Sequence, residues 1–134
     1  MEEAVRTFLE KHHSAIMATT KKDGMTHLAR IGVGLVDGKL WSSATKTRVR
    51  TKHLRRDPRS GLLVMNVENR YEWLGLETTV TILEGDDAPQ LNLKLYRALA
   101  GEPDDVDEYL EAMVKEQRLI YEFSIERAYG DYPD

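Results

Sequence analysis

The sequence predicts a mainly β fold with helices (α+β): a small antiparallel barrel of about six strands, decorated by about four helices. Three observations carry this expectation. Strand-like runs are joined by the turn signatures Lys21-Lys22-Asp23-Gly24 and Asp37-Gly38, which favour hairpins. Helix-period segments are few, and two of them are inserted together just before a last alternating strand. The 134 residues show no repeat and no low-complexity tract, so residues 1–134 read as one domain.

Each element follows from local pattern. Glu2–Lys11 is amphipathic at helical spacing, with Val5, Phe8 and Leu9 on one side. Ser14–Thr20 is a compact strand, and Met25–Val36 a longer one that ends at the Asp37-Gly38 turn into Lys39–Ser43. Gly32 and Gly34 stand one side-chain period apart, where glycine marks a bulge or a close approach to the backbone. A dinucleotide fingerprint is rejected there, because Asp37 occupies the third glycine position and the context is strand–hairpin.

The middle of the chain continues the pattern. About ten helix-compatible residues lie between Ser43 and Pro58, and proline ends them. Ser60–Val67 is almost continuously apolar, which predicts burial on both faces. Glu68-Asn69-Arg70 turns the chain into the β-rich Tyr71–Leu83, and Glu84–Pro89 is a loop. Gln90–Ala100 and Pro103–Gln117 are helices, the second opening on proline and acids. Arg118–Arg127 alternates as a closing strand, leaving Tyr129–Asp134 as a short polar tail.

Composition narrows the function classes. Hydrophobic content of 41% and charged content of 31% are those of an ordinary globular protein. Without cysteine there is no disulfide, thiolate metal site or cysteine nucleophile, which fits a cytoplasmic address. The acidic start MEEAVRTFLEKHH lacks the pattern of a signal peptide, and no apolar run reaches the length of a membrane span. A net charge of −4 argues against a general nucleic-acid binder.

Against that acidity, Lys46–Arg59 (KTRVRTKHLRRDPR) gathers seven Lys/Arg and one His around a single Asp. If Thr45 or Thr47 caps the helix, its free N–H groups point the same way as Arg48 and Arg50, and together they make an anion site. A solvated surface helix is also basic, and charge alone leaves both readings open. Helical spacing puts Arg48, Lys52, Arg55 and Arg59 on one face and Arg50 on another, so not every cation can reach one ligand. Elsewhere the chemistry is sparse. His12, His13, His27 and His53 are not spaced as a metal set, and there is no G-x-S-x-G, Walker A or H-E-x-x-H. An enzyme built this way needs a bound cofactor for its chemistry.

The run R-V-R-T-K-H-L-R-R-D-P-R-S-G-L-L-V (Arg48–Val64) resembles the split-barrel flavin and deazaflavin oxidoreductases, which include the pyridoxamine 5′-phosphate oxidase-like proteins. The likeness is closest to the actinobacterial branch that uses coenzyme F420. A-I-M-A-T-T (Ala15–Thr20), the Tyr71/Trp73 segment, L-Y-R-A-L-A-G (Leu95–Gly101) and E-R-A-Y-G (Glu126–Gly130) extend it over almost the whole chain. The resemblance implies a six-stranded split β-barrel of the FMN-binding type, homodimeric, with two cofactor sites between subunits.

It further implies that Arg48 and Arg50 contact a phosphate or glutamyl carboxylates, with Thr51 and Lys52 beside them. Ala29, Arg30 and Ile31 would line the ring edge, Ser42 and Ser43 would offer hydroxyl or backbone contacts, and Tyr71 and Trp73 would reach a site from the partner. Close relatives carry lysine at the position of Arg50, arginine at Lys52 and glycine at Thr78.

The implied activity is hydride transfer from reduced F420 to an electron-poor conjugated small-molecule acceptor such as an enone, a quinone or a tetrapyrrole, with no catalytic side chain. The alternatives are FMN in the same fold, a non-catalytic carrier of F420, flavin or a tetrapyrrole, and a nucleic-acid module using the basic patch.

Overall fold

In a computed structural model covering all 134 residues, Met1–Asp134, seven strands and four helices alternate in an order set by the turns. They are α1 (Glu3–Lys11), β1 (Ser14–Thr20), β2 (Thr26–Gly32), β3 (Gly34–Val36), β4 (Lys39–Thr45), α2 (Val49–Arg56), β5 (Arg59–Met65), β6 (Trp73–Leu83), α3 (Ala88–Ala100), α4 (Val106–Lys115) and β7 (Arg118–Asp131). The sheet is antiparallel throughout, in the order β2-β1-β5-β6-β7-β4-β3.

The count is seven, not six, because the expected strand Met25–Val36 breaks at Val33. Its halves pair at opposite edges of the sheet, so a single residue joins the two edges and curls the sheet into a half-barrel. Histidine fixes that corner. The Val33 N–H donates to the His13 carbonyl at 2.8 Å, and His13 Nδ1 donates to the Val33 carbonyl at 3.0 Å. Across the seam, Ser42 Oγ donates to the Gly32 carbonyl at 2.7 Å.

Inside the curl, alternate residues of each strand form one core with Val5, Phe8 and Leu9 of α1, including Met17, Leu40, Leu62, Val64, Leu74, Leu76 and Tyr121. The outside of the sheet is covered over half its width. There α3 packs on β3, β4 and the start of β7 through Val36, Trp41, Leu95 and Ile120. Gly34 permits this approach, since a Cβ there would lie 2.6 Å from the Leu99 side chain.

Several boundaries differ from expectation for identifiable reasons. β5 buries one face only: Leu63 on the other is 37% exposed, and its apolar run is continuous because the sheet is apolar outside as well as inside. The expected polar tail is strand, since β7 runs on to Asp131, paired with Trp73. Gly130, at φ 132, lies so close that a Cβ would meet the Trp73 carbonyl oxygen at 2.5 Å. Helix α4 begins at Val106, not Pro103, because the Asp105 side chain caps it by accepting from the Glu108 N–H at 3.1 Å. Opposite Glu77 and Thr78 the register of β7 slips by one residue, which bends the sheet without a glycine at Thr78.

Candidate functional site

Helix α2 crosses one end of the barrel, held at both of its ends. No side chain caps its N-terminus, so the expected Thr45 or Thr47 cap is absent: the two hydroxyls lie 3.2 Å from each other, and Arg48 itself occupies the cap position in extended conformation. Thr51, fully buried, donates its hydroxyl to the Thr45 carbonyl at 2.8 Å and also bonds the Tyr121 hydroxyl. At the far end, His53 Nδ1 lies 2.9 Å from Thr19 Oγ1 and Arg56 donates to the Thr20 carbonyl. Arg55 forks onto both Glu84 carboxylate oxygens at 2.9 Å.

This anchoring presents an uncompensated cationic group. Arg50 is half-buried, and its Nε is enclosed without a hydrogen-bond partner. Burial lowers its pKa from the usual arginine value; the Tyr121 phenol opposes this, while Arg48 and Arg118 add repulsion. Burial in turn raises the Tyr121 phenol. Neither Arg48 nor Arg50 has a carboxylate within ion-pair distance. An enclosed guanidinium donor beside an uncapped helix N-terminus fits an oxyanion, which would satisfy the orphaned N–H and the local charge together.

A second feature lies at the opposite end of the strands. The start of β1, the end of β2, the end of β5 and the start of β6 enclose a groove of about 690 Å³ on the uncovered outer face. Ile16, Leu63, Met65, Val67 and Trp73 make its apolar surface, and Ser14, Asn66, Arg30 and Arg70 its polar rim. Trp73 is set edge-on to Tyr129, with ring centroids 6.1 Å apart. Gly75 lets the Tyr129 ring lie against the sheet, where a Cβ would come within 2.4 Å of it.

The expected site residues therefore fall into separate groups. Arg48, Arg50, Thr51 and the exposed Lys52 gather at α2. Arg30 and Trp73 meet in the groove, while Tyr71, 85% exposed, stands on the loop beside it. Ala29 and Ile31 alternate with Arg30 on β2, and Ile31 points into the core. Ser42 and Ser43 have their hydroxyls engaged, Ser42 on Gly32 and Ser43 on the buried Asn92 of α3.

The two ends of β6 separate the groups. Trp73 is its first residue, whereas Tyr121, the partner of Thr51, pairs with Ile82 near its last. At strand rise those residues stand roughly 30 Å apart. Sequence reasoning missed Tyr121, Arg118, Arg70 and the groove's Ile16, Leu63 and Met65. The signal was present in the unbroken apolar run of β5, read as double burial instead of one core face and one groove face.

Comparison with known proteins agrees with this architecture. Among solved structures, the chain superposes on a conserved hypothetical protein, Rv2991, from Mycobacterium tuberculosis, with a TM-score of 0.80 at 22% identity, covering 96% of this chain and 82% of that one. It superposes on a protein named F420 reductase with a TM-score of 0.72 at 19% identity, covering 96% and 98%. A NimC/NimA family protein from Clostridium acetobutylicum gives 0.64 at 19% identity, covering 92% and 84%. At these identities the likeness is one of fold. The family profile described as pyridoxamine 5′-phosphate oxidase matches residues 1–130, and the chain belongs to that family.

Proposed function

We propose that this protein is an F420-dependent reductase whose site is completed by a second copy of the chain. The observation that carries this reading is the enclosed, unpartnered Nε of Arg50 beside Arg48 at the uncapped start of α2. Such a place suits a phosphate or carboxylate at the end of a long cofactor. The family and the F420 reductase among its structural relatives support the class of cofactor. When bound, reduced F420 supplies a hydride, two electrons and one hydrogen nucleus, to an electron-poor conjugated acceptor.

The chain's own residues hold and orient. Arg48 and Arg50 anchor the anionic end, Lys52 adds charge from the surface, and Thr51 fixes the helix through Thr45 and Tyr121. Trp73 and Tyr71, with Arg30 on β2, serve the ring end; Ala29 and Ile31 form the inward side of that strand behind it, and Ser42 and Ser43 tie β4 to Gly32 and Asn92. Because the cationic end and the groove lie at opposite ends of β6 in one chain, a single cofactor joins them most simply across a two-fold axis. The groove of one protomer then faces α2 of its partner. Alignment and exclusion of water are the protein's contribution, and the acceptor takes its proton from solvent.

FMN is the second reading, favoured by the family itself. Fluorescence titration with F420 and with FMN at two salt concentrations separates them. We expect F420 to bind more tightly, with affinity falling in salt and at least about tenfold in an Arg48→Ala, Arg50→Ala variant. Preference for FMN moves the assignment to the flavin, and binding of neither overturns both.

A further inference from the structure

We infer that the groove takes an acceptor bearing a carboxylate: a flat, conjugated, apolar molecule whose acid group is held between Arg30 and Arg70. This rests on the reductase reading for the word acceptor, but the binding preference stands on the groove alone.

The argument is one of charge and surface. Five of the nine lining residues are hydrophobic, and none is acidic. Eight of the 19 Lys and Arg lie within ion-pair distance of a carboxylate, among them Arg127 on the same sheet face, which finds Glu77 at 2.8 Å. Arg30 and Arg70 find none. Arg30 reaches only Ser14 Oγ, at 3.4 Å. Of the nearby acids, Glu72 accepts from Asn66 Nδ2 at 3.0 Å, Glu68 shares a surface hollow with Arg70 but lies beyond ion-pair distance of it, and Asp131, opposite Trp73 on β7, pairs with neither arginine.

Two guanidinium forks at the rim of an apolar slot are suited to a planar acid. The slot buries the conjugated body, Trp73 offers an aromatic face or edge, and the forks receive the carboxylate. The proposed cofactor's anionic end is assigned to the cations of α2, so Arg30 and Arg70 remain for the acid of the acceptor. The volume of about 690 Å³ leaves room for more than one planar ring system.

The test is calorimetric, on the full chain with and without F420, using a naphthoquinone propionate and its methyl ester as probes. The acid should bind at least about tenfold more tightly than the ester. Measured without F420, so that the part of Arg30 at the ring end does not enter, an Arg30→Gln, Arg70→Gln variant should lose that preference while binding the ester as before, and Arg127→Gln, on the same face outside the groove, should keep it. Both arginines are exposed, so circular dichroism should show an unchanged fold. Equal binding of acid and ester by the parent protein, or undiminished acid binding by the double variant, overturns the inference. Failure of F420 to bind while the acid preference persists overturns the reductase reading instead, so the two fail separately.

Discussion

At the scale of single residues, Arg50 carries opposed demands of stability and binding. Its Nε is shut away from water with no acceptor, and two other arginines bear on it. A buried donor left unpaired destabilises the fold by about 1–3 kcal/mol. An apolar side chain of similar length should remove that penalty. We therefore expect Arg50→Met to leave the urea midpoint unchanged or raise it, while F420 affinity falls at least about tenfold. A lowered midpoint with unchanged affinity would make Arg50 a structural residue and remove it from the site. Sequence alone could not show this contrast. The alternation of charges marked Arg48 and Arg50 as cations near a helix start, but which nitrogen is buried is set by tertiary packing, which also brings the distant Tyr121 phenol to bear on Arg50.

At the scale of elements, helix α2 is joined to the barrel through a pair of histidines. His53, 7% exposed, bonds Thr19, and the His27 ring stands edge-on to it at 5.2 Å, with Nδ1 of His27 buried and unpartnered. Burial holds the His53 pKa below its usual value, helped by His27, Arg56 and Lys21. Facing charges from α2 and the β1–β2 turn are thus cationic, apart from Asp23, which pairs with Lys21 at 3.9 Å.

The sign follows directly. The folded protein takes up a proton on His53 less readily than the unfolded chain, so stability is full above the unfolded pKa of about 6.5 and falls as pH drops through the lower folded value. Urea midpoints measured from pH 8 to 5 should show that fall, and His53→Gln, which retains polar atoms but does not titrate, should flatten it. An identical slope in the variant would place the titrating group elsewhere.

The elements themselves were largely legible in sequence, because hairpin turns and periodicity are local. The break at Val33 was not, since it is set by His13 from another part of the chain, and the true cap of α4 at Asp105 was hidden by a proline two residues earlier.

At the scale of the whole molecule, the uncovered half of the sheet needs an explanation. Helix α3 covers the β3–β4 side, but no helix covers β1, β2, β5 and the adjoining part of β6. There Leu28 is 64% exposed and Tyr129 42%, both on one strand face outside the groove. Exposed apolar surface of this kind marks an interaction site. On the two-chain reading proposed above, a second copy is the occupant, since it would also bring α2 and the groove together.

Leu28 and Ala18 are cross-strand neighbours on that face, and both lie outside the groove. Leu28→Glu with Ala18→Glu places like charges in the contact, and across a two-fold axis each copy meets the same change. Sedimentation velocity should show a dimer for the parent chain and a monomer for the variant. The monomer should also lose most of its F420 affinity although Arg48 and Arg50 are untouched, because its ring-end residues belong to the missing partner. A parent chain that is monomeric, or a monomeric variant that binds F420 as well as the parent, would put the whole cofactor site within one chain and overturn the two-chain arrangement.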